Sequence, residues 1–172
     1  GTSSVSNVVT FMPAGVPAAI TDVTVTAVGD QSVTATFTVP DNGGSAITGY
    51  IIEYSTDGGS TWLVDEDVFT LEFSGSTGTY STTEVENGIT YSGRISATNA
   101  VGTSSVSNVV TFTPMTVPGA PTGLVPSLIG PTQVSLLWAA PGEIGGSAIT
   151  DYLTTPGSVP TFGPTTAVNG VA

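Results

Sequence analysis

Across 172 residues, thirteen Asp and Glu stand against a single basic residue, Arg94, and His and Cys are absent, so the net charge is -12 and the pI about 4.1. Electrostatic binding to nucleic acid or insertion at an anionic membrane surface is disfavoured, because both need cations to displace counterions. With no His, Cys or Lys, the chain lacks a Ser-His-Asp or Cys-His nucleophile, a Schiff base, an ordinary zinc site and a P-loop lysine.

A mean hydropathy of +0.32, with 39% hydrophobic residues, argues for a folded chain rather than a disordered one. No run approaches the roughly 18 apolar residues of a membrane span. The sequence opens at Gly1 without the charged and apolar regions of a signal peptide, as expected of a processed product or an interior piece of something longer.

Residues 1–11 read GTSSVSNVVTF, and residues 102–112 repeat that string letter for letter at an offset of 101. Val16-Pro17 then matches Val117-Pro118, Val33 matches Val134, Phe37 matches Trp138 and Pro40 matches Pro141. After one inserted residue, GGSAITGY at 43–50 lines up with GGSAITDY at 145–152. A period of about one hundred residues suits an independent β-sandwich and is too long for a solenoid unit. It divides the chain into the last strand of a preceding module (1–13), a complete module (16–113) and a partial one (117–172). In the first piece, Val5, Val8 or Val9, and Phe11 give a strand one apolar face that invites pairing, which makes Val5, Val8, Val9 and Phe11 candidates for an assembly strand.

Within the complete module the apolar residues alternate with period two, and Gly, Asn, Asp and Pro fall between the runs. Strands are expected over 20–28, 32–39 (Val33, Ala35 and Phe37 on one face) and 47–55 (Tyr50, Ile52 and Tyr54 on one face), the last ending at the turn composition Asp57-Gly58-Gly59. Residues 62–64, 68–73, 80–85, 91–99 and 105–112 continue the series. No segment carries a capped 3.6-residue stripe, so the fold is all-β: seven or eight short strands in two packed antiparallel sheets.

Five features taken in order resemble a fibronectin type III domain of the bacterial kind. They are Val16-Pro17 leading the first strand, the core aromatic Phe37 (Trp138 in the next copy), the run Ile47, Tyr50, Ile52, Tyr54 followed by STDGGSTW, the corner VENGITY ending at Tyr91, and the strand from Arg94 through Ile95 to Asn99 with Gly102 after it. The resemblance implies an immunoglobulin-like sandwich in tandem, with Phe37, Tyr50, Ile52, Tyr54, Tyr91, Ile95 and Trp138 in the core. It also implies that the Tyr91 hydroxyl bonds back to the backbone of the corner. Gly93 departs from it, standing where the family places a large apolar residue; Phe69 or Phe73 is expected to fill the gap, and residues 68–76 to add a strand or widen an edge.

Asp65, Glu66 and Asp67 form the one dense carboxylate run and are a weak candidate for Ca²⁺, which wants converging oxygens; EF-hand spacing is absent and a solvated acidic loop is the simpler account. Paired carboxylates can hydrolyse glycosides only across a cleft, and a sandwich of this size fills its interior with its own side chains. No catalytic residue and no cofactor is therefore expected. Trp62 beside Tyr54 or Tyr80 is the one plausible sugar-stacking platform, against the plainer role of covering a sheet edge. The alternating Thr are explained by β-propensity.

The expected role is that of a non-catalytic structural, spacer or adhesive array of a bacterial surface or secreted protein, extracellular or at the cell surface. Its expected partners are neighbouring modules or identical subunits joined head-to-tail by strand complementation, with carbohydrate or a cell-surface protein as further partners. The alternatives are an accessory module of a secreted polysaccharide-degrading enzyme and a phage tail or capsid decoration domain.

Overall fold

The computed structural model of the chain describes residues 1–5, 7–10, 13–66, 69–130 and 133–153. Ten strands form in chain order: β1 (Thr24–Gly29), β2 (Ser32–Thr38), β3 (Ile47–Ser55), β4 (Leu63–Val64), β5 (Phe69–Ser74), β6 (Thr77–Thr82), β7 (Tyr91–Asn99), β8 (Val110–Phe112), β9 (Thr122–Gly130) and β10 (Gln133–Ala139). Among the described residues there is no helix. One four-stranded sheet runs β1-β2-β6-β5 and the other β4-β3-β7-β8; β9 and β10 form a separate antiparallel hairpin.

The two four-stranded sheets face each other because period-two alternation gives each an apolar side. From β2 come Val33, Ala35 and Phe37, from β3 Ile52, and from β7 Tyr91, Ile95 and Ala97, all buried. Ile20 and Val23 close the core from the segment before β1, while Tyr50, Phe69, Leu71, Tyr80 and Val110 pack around it. Phe37 on β2 lies directly opposite Gly78 on β6, and Tyr50 and Phe73 stack on each other beside it with centroids 5.4 Å apart. Of the stretch 68–76, expected to add a strand or widen an edge, the described residues do so: β5 pairs along the whole of β6, and this sheet has four strands.

The first and last strands of the sandwich are shorter than alternation predicts, and one cause serves both. Instead of a regular ladder, residues 103–109 lie along β7 through an isolated bridge (Thr98 with Thr103), through the Ser104 and Ser107 amides, which donate to Ala97 O at 2.8 Å and Ile95 O at 2.9 Å, and through side chains. The Ser104 hydroxyl accepts the Ala97 amide and the Ser107 hydroxyl accepts the Ile95 amide, each at 3.0 Å. Asn108 then grips Val23 on the opposite sheet, so regular pairing starts only at Thr24 on one strand and Val110 on the other.

The second copy of the repeat reproduces the first locally. Gly15 N–H donates to Gly43 O at 2.8 Å and Thr116 N–H to Gly145 O at 2.9 Å; Ala18 N–H donates to Asp41 O at 2.9 Å and Gly119 N–H to Glu143 O at 2.8 Å. Both glycine pairs take the left-handed conformation, with φ of 66° and 85° at Gly43-Gly44 and 72° and 89° at Gly145-Gly146. The partial module, in which residues 117–152 correspond to the first three strands, forms two strands among the described residues, and Trp138 is half-buried, edge-on to Tyr152 at 5.3 Å. At the other end, Val5, Val8 and Val9 are exposed, and residues 1–5 and 7–10 form no strand; Phe11 lies outside the described residues. The identical residues 102–112 differ in that β7 is there to receive them.

Candidate functional site

The corner before β7 is built on Tyr91, whose hydroxyl oxygen accepts the Glu86 amide at 3.0 Å, as the resemblance implies. Asn87 braces the same corner against the β1–β2 turn: its side-chain amide donates to Asp30 at 2.7 Å and its oxygen accepts the Gln31 amide at 3.0 Å. Gly88, at φ 84°, thereby presents its N–H outward to Pro114 O at 2.8 Å. Against it lies Gly146, so close that a Cβ there would sit 2.5 Å from Gly88 N. Two glycines in contact thus join the sandwich to the second copy of the repeat, because any larger side chain would hold the two backbones apart.

Beneath this corner, between the sheets, is an open cleft of about 590 Å³ walled by Tyr54, Tyr80, Tyr91 and Phe112. Gly93 opens it. The expectation that Phe69 or Phe73 fills the gap is corrected: Phe69 packs on Tyr80 at 5.6 Å, Phe73 packs on Phe37 and Tyr50, and a Cβ at Gly93 would meet only Val110 Cγ2, at 3.7 Å. Tyr54 is half-buried beside Tyr91, whose ring also stacks on Phe112 at 5.5 Å.

On the outer face of the second sheet, Arg94 forks onto Glu53 with Nε–Oε2 at 2.9 Å and Nη2–Oε1 at 3.1 Å, and its guanidinium lies 4.0 Å over the Trp62 ring. The Trp62 Nε1–H donates to Gly59 O at 3.0 Å, inside the turn organised by Asp57. Hydrogen bonds from the Thr61 hydroxyl, the Thr61 amide and the Ser55 hydroxyl hold the Asp57 carboxyl well below its ordinary value. One face of Trp62 is therefore taken by Arg94, and Tyr54 points to the other side of β3, so the sugar-stacking platform read from sequence is not assembled. Alternation could have paired Glu53 with Arg94 only once the β3–β7 register was known.

The two described residues of the acidic run point to different surroundings. Asp65 accepts the Tyr80 hydroxyl at 2.6 Å, Glu66 is exposed, and Asp67 lies outside the described residues. Among the described residues no three acidic groups come together in a way that could hold a metal ion. No helix there is long and apolar enough to cross a membrane.

Two facing four-stranded antiparallel sheets, with a cleft opening between them, define an all-β sandwich. The model of the fibronectin type III domain matches residues 18–113, and the chain belongs to that family. It is 33% identical over 134 residues to fast-type myosin-binding protein C of Mus musculus, covering 76% of this chain and 11% of that protein. It is 32% identical over 87 residues to cell adhesion molecule DSCAML1 of Mus musculus, covering 51% of this chain and 4% of that one. Domains A168–A170 of titin superpose with a TM-score of 0.47 at 28% identity, over 58% of this chain and 32% of that one. The chain spans about a tenth or less of these two curated relatives; both are animal proteins, which lends no support to a bacterial origin.

Proposed function

We propose that the chain is a non-catalytic load-bearing spacer: a stretch of a tandem array of fibronectin type III modules of about one hundred residues each, working outside the cell. The observation that carries this is the recurrence, 101 to 102 residues apart, of one turn with the same two hydrogen bonds and the same two left-handed glycines. Short proline-bearing connections (13–17 and 114–118) restrict the hinge between units, so force along the chain is passed from sandwich to sandwich. A single cation, already paired, leaves little to recruit anionic partners, and scarce Lys and Arg leave few tryptic sites.

Stretching single molecules between their ends tests it. The module at 16–113 is expected to yield in one cooperative event that releases on the order of 300 Å of chain, at about 3.4 Å per residue. Extension with no such force peak would show that the sandwich bears no load and would overturn the spacer role.

A further inference from the structure

Resting on the tandem reading above, the joint itself carries a further step, because the chain contains two copies of its receiving half in different states. In the second copy, Pro114 and Gly145 are buried and Gly146 is half-buried, since the Asn87-Gly88 corner sits on them. Their counterparts at the same offsets are Pro13, exposed, Gly43, half-buried, and Gly44, exposed. The turn itself keeps the same two backbone hydrogen bonds to the preceding segment and the same two left-handed glycines in both copies. The surface is therefore already shaped before anything covers it, and its ordering entropy is paid within the fold rather than on docking.

We propose that the face formed by Pro13, Ala14 and Gly44 is a docking surface for the Glu-Asn-Gly corner of another module of this repeat, one for which residues 1–11 serve as the last strand. The Pro13 carbonyl takes the place of the Pro114 carbonyl as acceptor for the corner glycine N–H, and Gly44, like Gly146, offers no side chain to hold that peptide away. Residues 1–11 carry the means to bring the partner there. Ser104, Ser107 and Asn108 each bond a specific backbone group of β7 or Val23, and Ser3, Ser6 and Asn7 are the same residues at the same spacing. Val5, Val8 and Val9 are exposed, apolar residues that a sheet could cover. A second copy of the present chain does not fit, because its own corner is already covered by residues 114–146.

The experiment is to join a copy of residues 16–101 directly ahead of Gly1 of the full chain, so that residues 1–13 complete it, and to assign backbone NMR signals with and without the addition. The Gly43 and Gly44 amide signals are expected to move toward those of Gly145 and Gly146. The corner glycine of the added copy is expected to exchange its amide hydrogen at least tenfold more slowly than a solvent-exposed glycine amide. If the added copy folds, with its own dispersed signals, and Gly43 and Gly44 do not move, the docking surface is wrong while the tandem array stands. If the added copy fails to fold against residues 1–13, both fall.

Discussion

The side-chain amide of Asn108 brackets the backbone of Val23, accepting its N–H at 3.0 Å and donating to its C=O at 2.9 Å across 85 residues of sequence. Asparagine is the one short residue that offers a donor and an acceptor at the spacing of a peptide group, so it substitutes for a strand neighbour where the ladder has broken. Val23 is buried, so its polar groups have no ready recourse to water. Asn108→Ala is expected to cost about 2 kcal/mol, the sum of two net hydrogen bonds and partial desolvation. Urea denaturation measures it. A loss of only a few tenths would mean that water replaces the amide and that the bracket is incidental.

Gly78 exists for Phe37. The two face each other across β2 and β6, and a Cβ on Gly78 would come within 2.7 Å of the Phe37 Cε2 atom. The far end of the ring meets the glycine, and the ring meets Phe73 edge-on at 6.5 Å. Gly78→Ala is expected to destabilise by about 2–3 kcal/mol through overpacking. Shrinking the ring with Phe37→Leu should recover part of that in the double variant, giving a coupling of at least about 0.5 kcal/mol. Strict additivity in thermal or urea unfolding would sink the explanation.

Much of this architecture can be read from alternation, because burying one face of a strand requires period two whatever the neighbours are. Alternation puts Phe37 and Ile52 on the core faces of their strands, whereas Tyr91, Ile95 and the tyrosine corner follow from the family resemblance. What escaped depends on register, which a linear string does not display. Gly78 reads as a loop glycine within SGSTGTYS until β6 is laid beside β2. The Glu53–Arg94 fork requires those residues to be paired across β3 and β7. Residues 1–11 and 102–112 are identical as strings, yet a string does not display the backbone groups that Ser104, Ser107 and Asn108 hold.

Gly93 makes the opposite prediction to Gly78. Its backbone is not left-handed, and a Cβ there would touch only Val110, at an ordinary 3.7 Å, with the cleft beyond. Gly93→Ala is expected to stabilise by about 0.5–1 kcal/mol through the reduced entropy of the unfolded chain. Gly93→Val should add the burial of further methyl groups, at about 0.8 kcal/mol each when fully covered. A fall in melting temperature with valine would show that the space between Tyr54 and Phe112 is narrower than its outline.

Acid should weaken the β3–β4 turn through Asp57. Its carboxyl titrates below the ordinary value near 3.8 because Thr61 and Ser55 donate to the ionised form; Asp22, bonded by Thr38, is lowered likewise. A depressed folded-state value means that the stabilisation is fully present above the unfolded value and is lost as the pH falls through the folded one. The difference in melting temperature between the native chain and Asp57→Asn is therefore expected to hold from pH 7 down to about 4 and to narrow below that. A gap that stays constant down to pH 2 would show that the carboxylate charge plays no part in holding the turn.

Arg94 is the sole side-chain cation of the protein, and its surroundings make it more than a surface charge. With side chains 23% and 19% exposed, Arg94 and Glu53 form a two-pronged bond, and the remaining guanidinium face rests on Trp62. A planar fork satisfies both demands at once, whereas an ammonium can meet one or the other. Arg94→Lys is accordingly expected to cost about 1 kcal/mol despite the retained charge, and Arg94→Met about 2 kcal/mol, because Glu53 is then left largely covered and unpaired. Pairing Arg94→Met with Glu53→Gln should return about half of that loss. Urea unfolding of the four chains of this cycle decides it: if Glu53→Gln brings no recovery, the stabilisation lies in the contact with Trp62 and not in the ion pair.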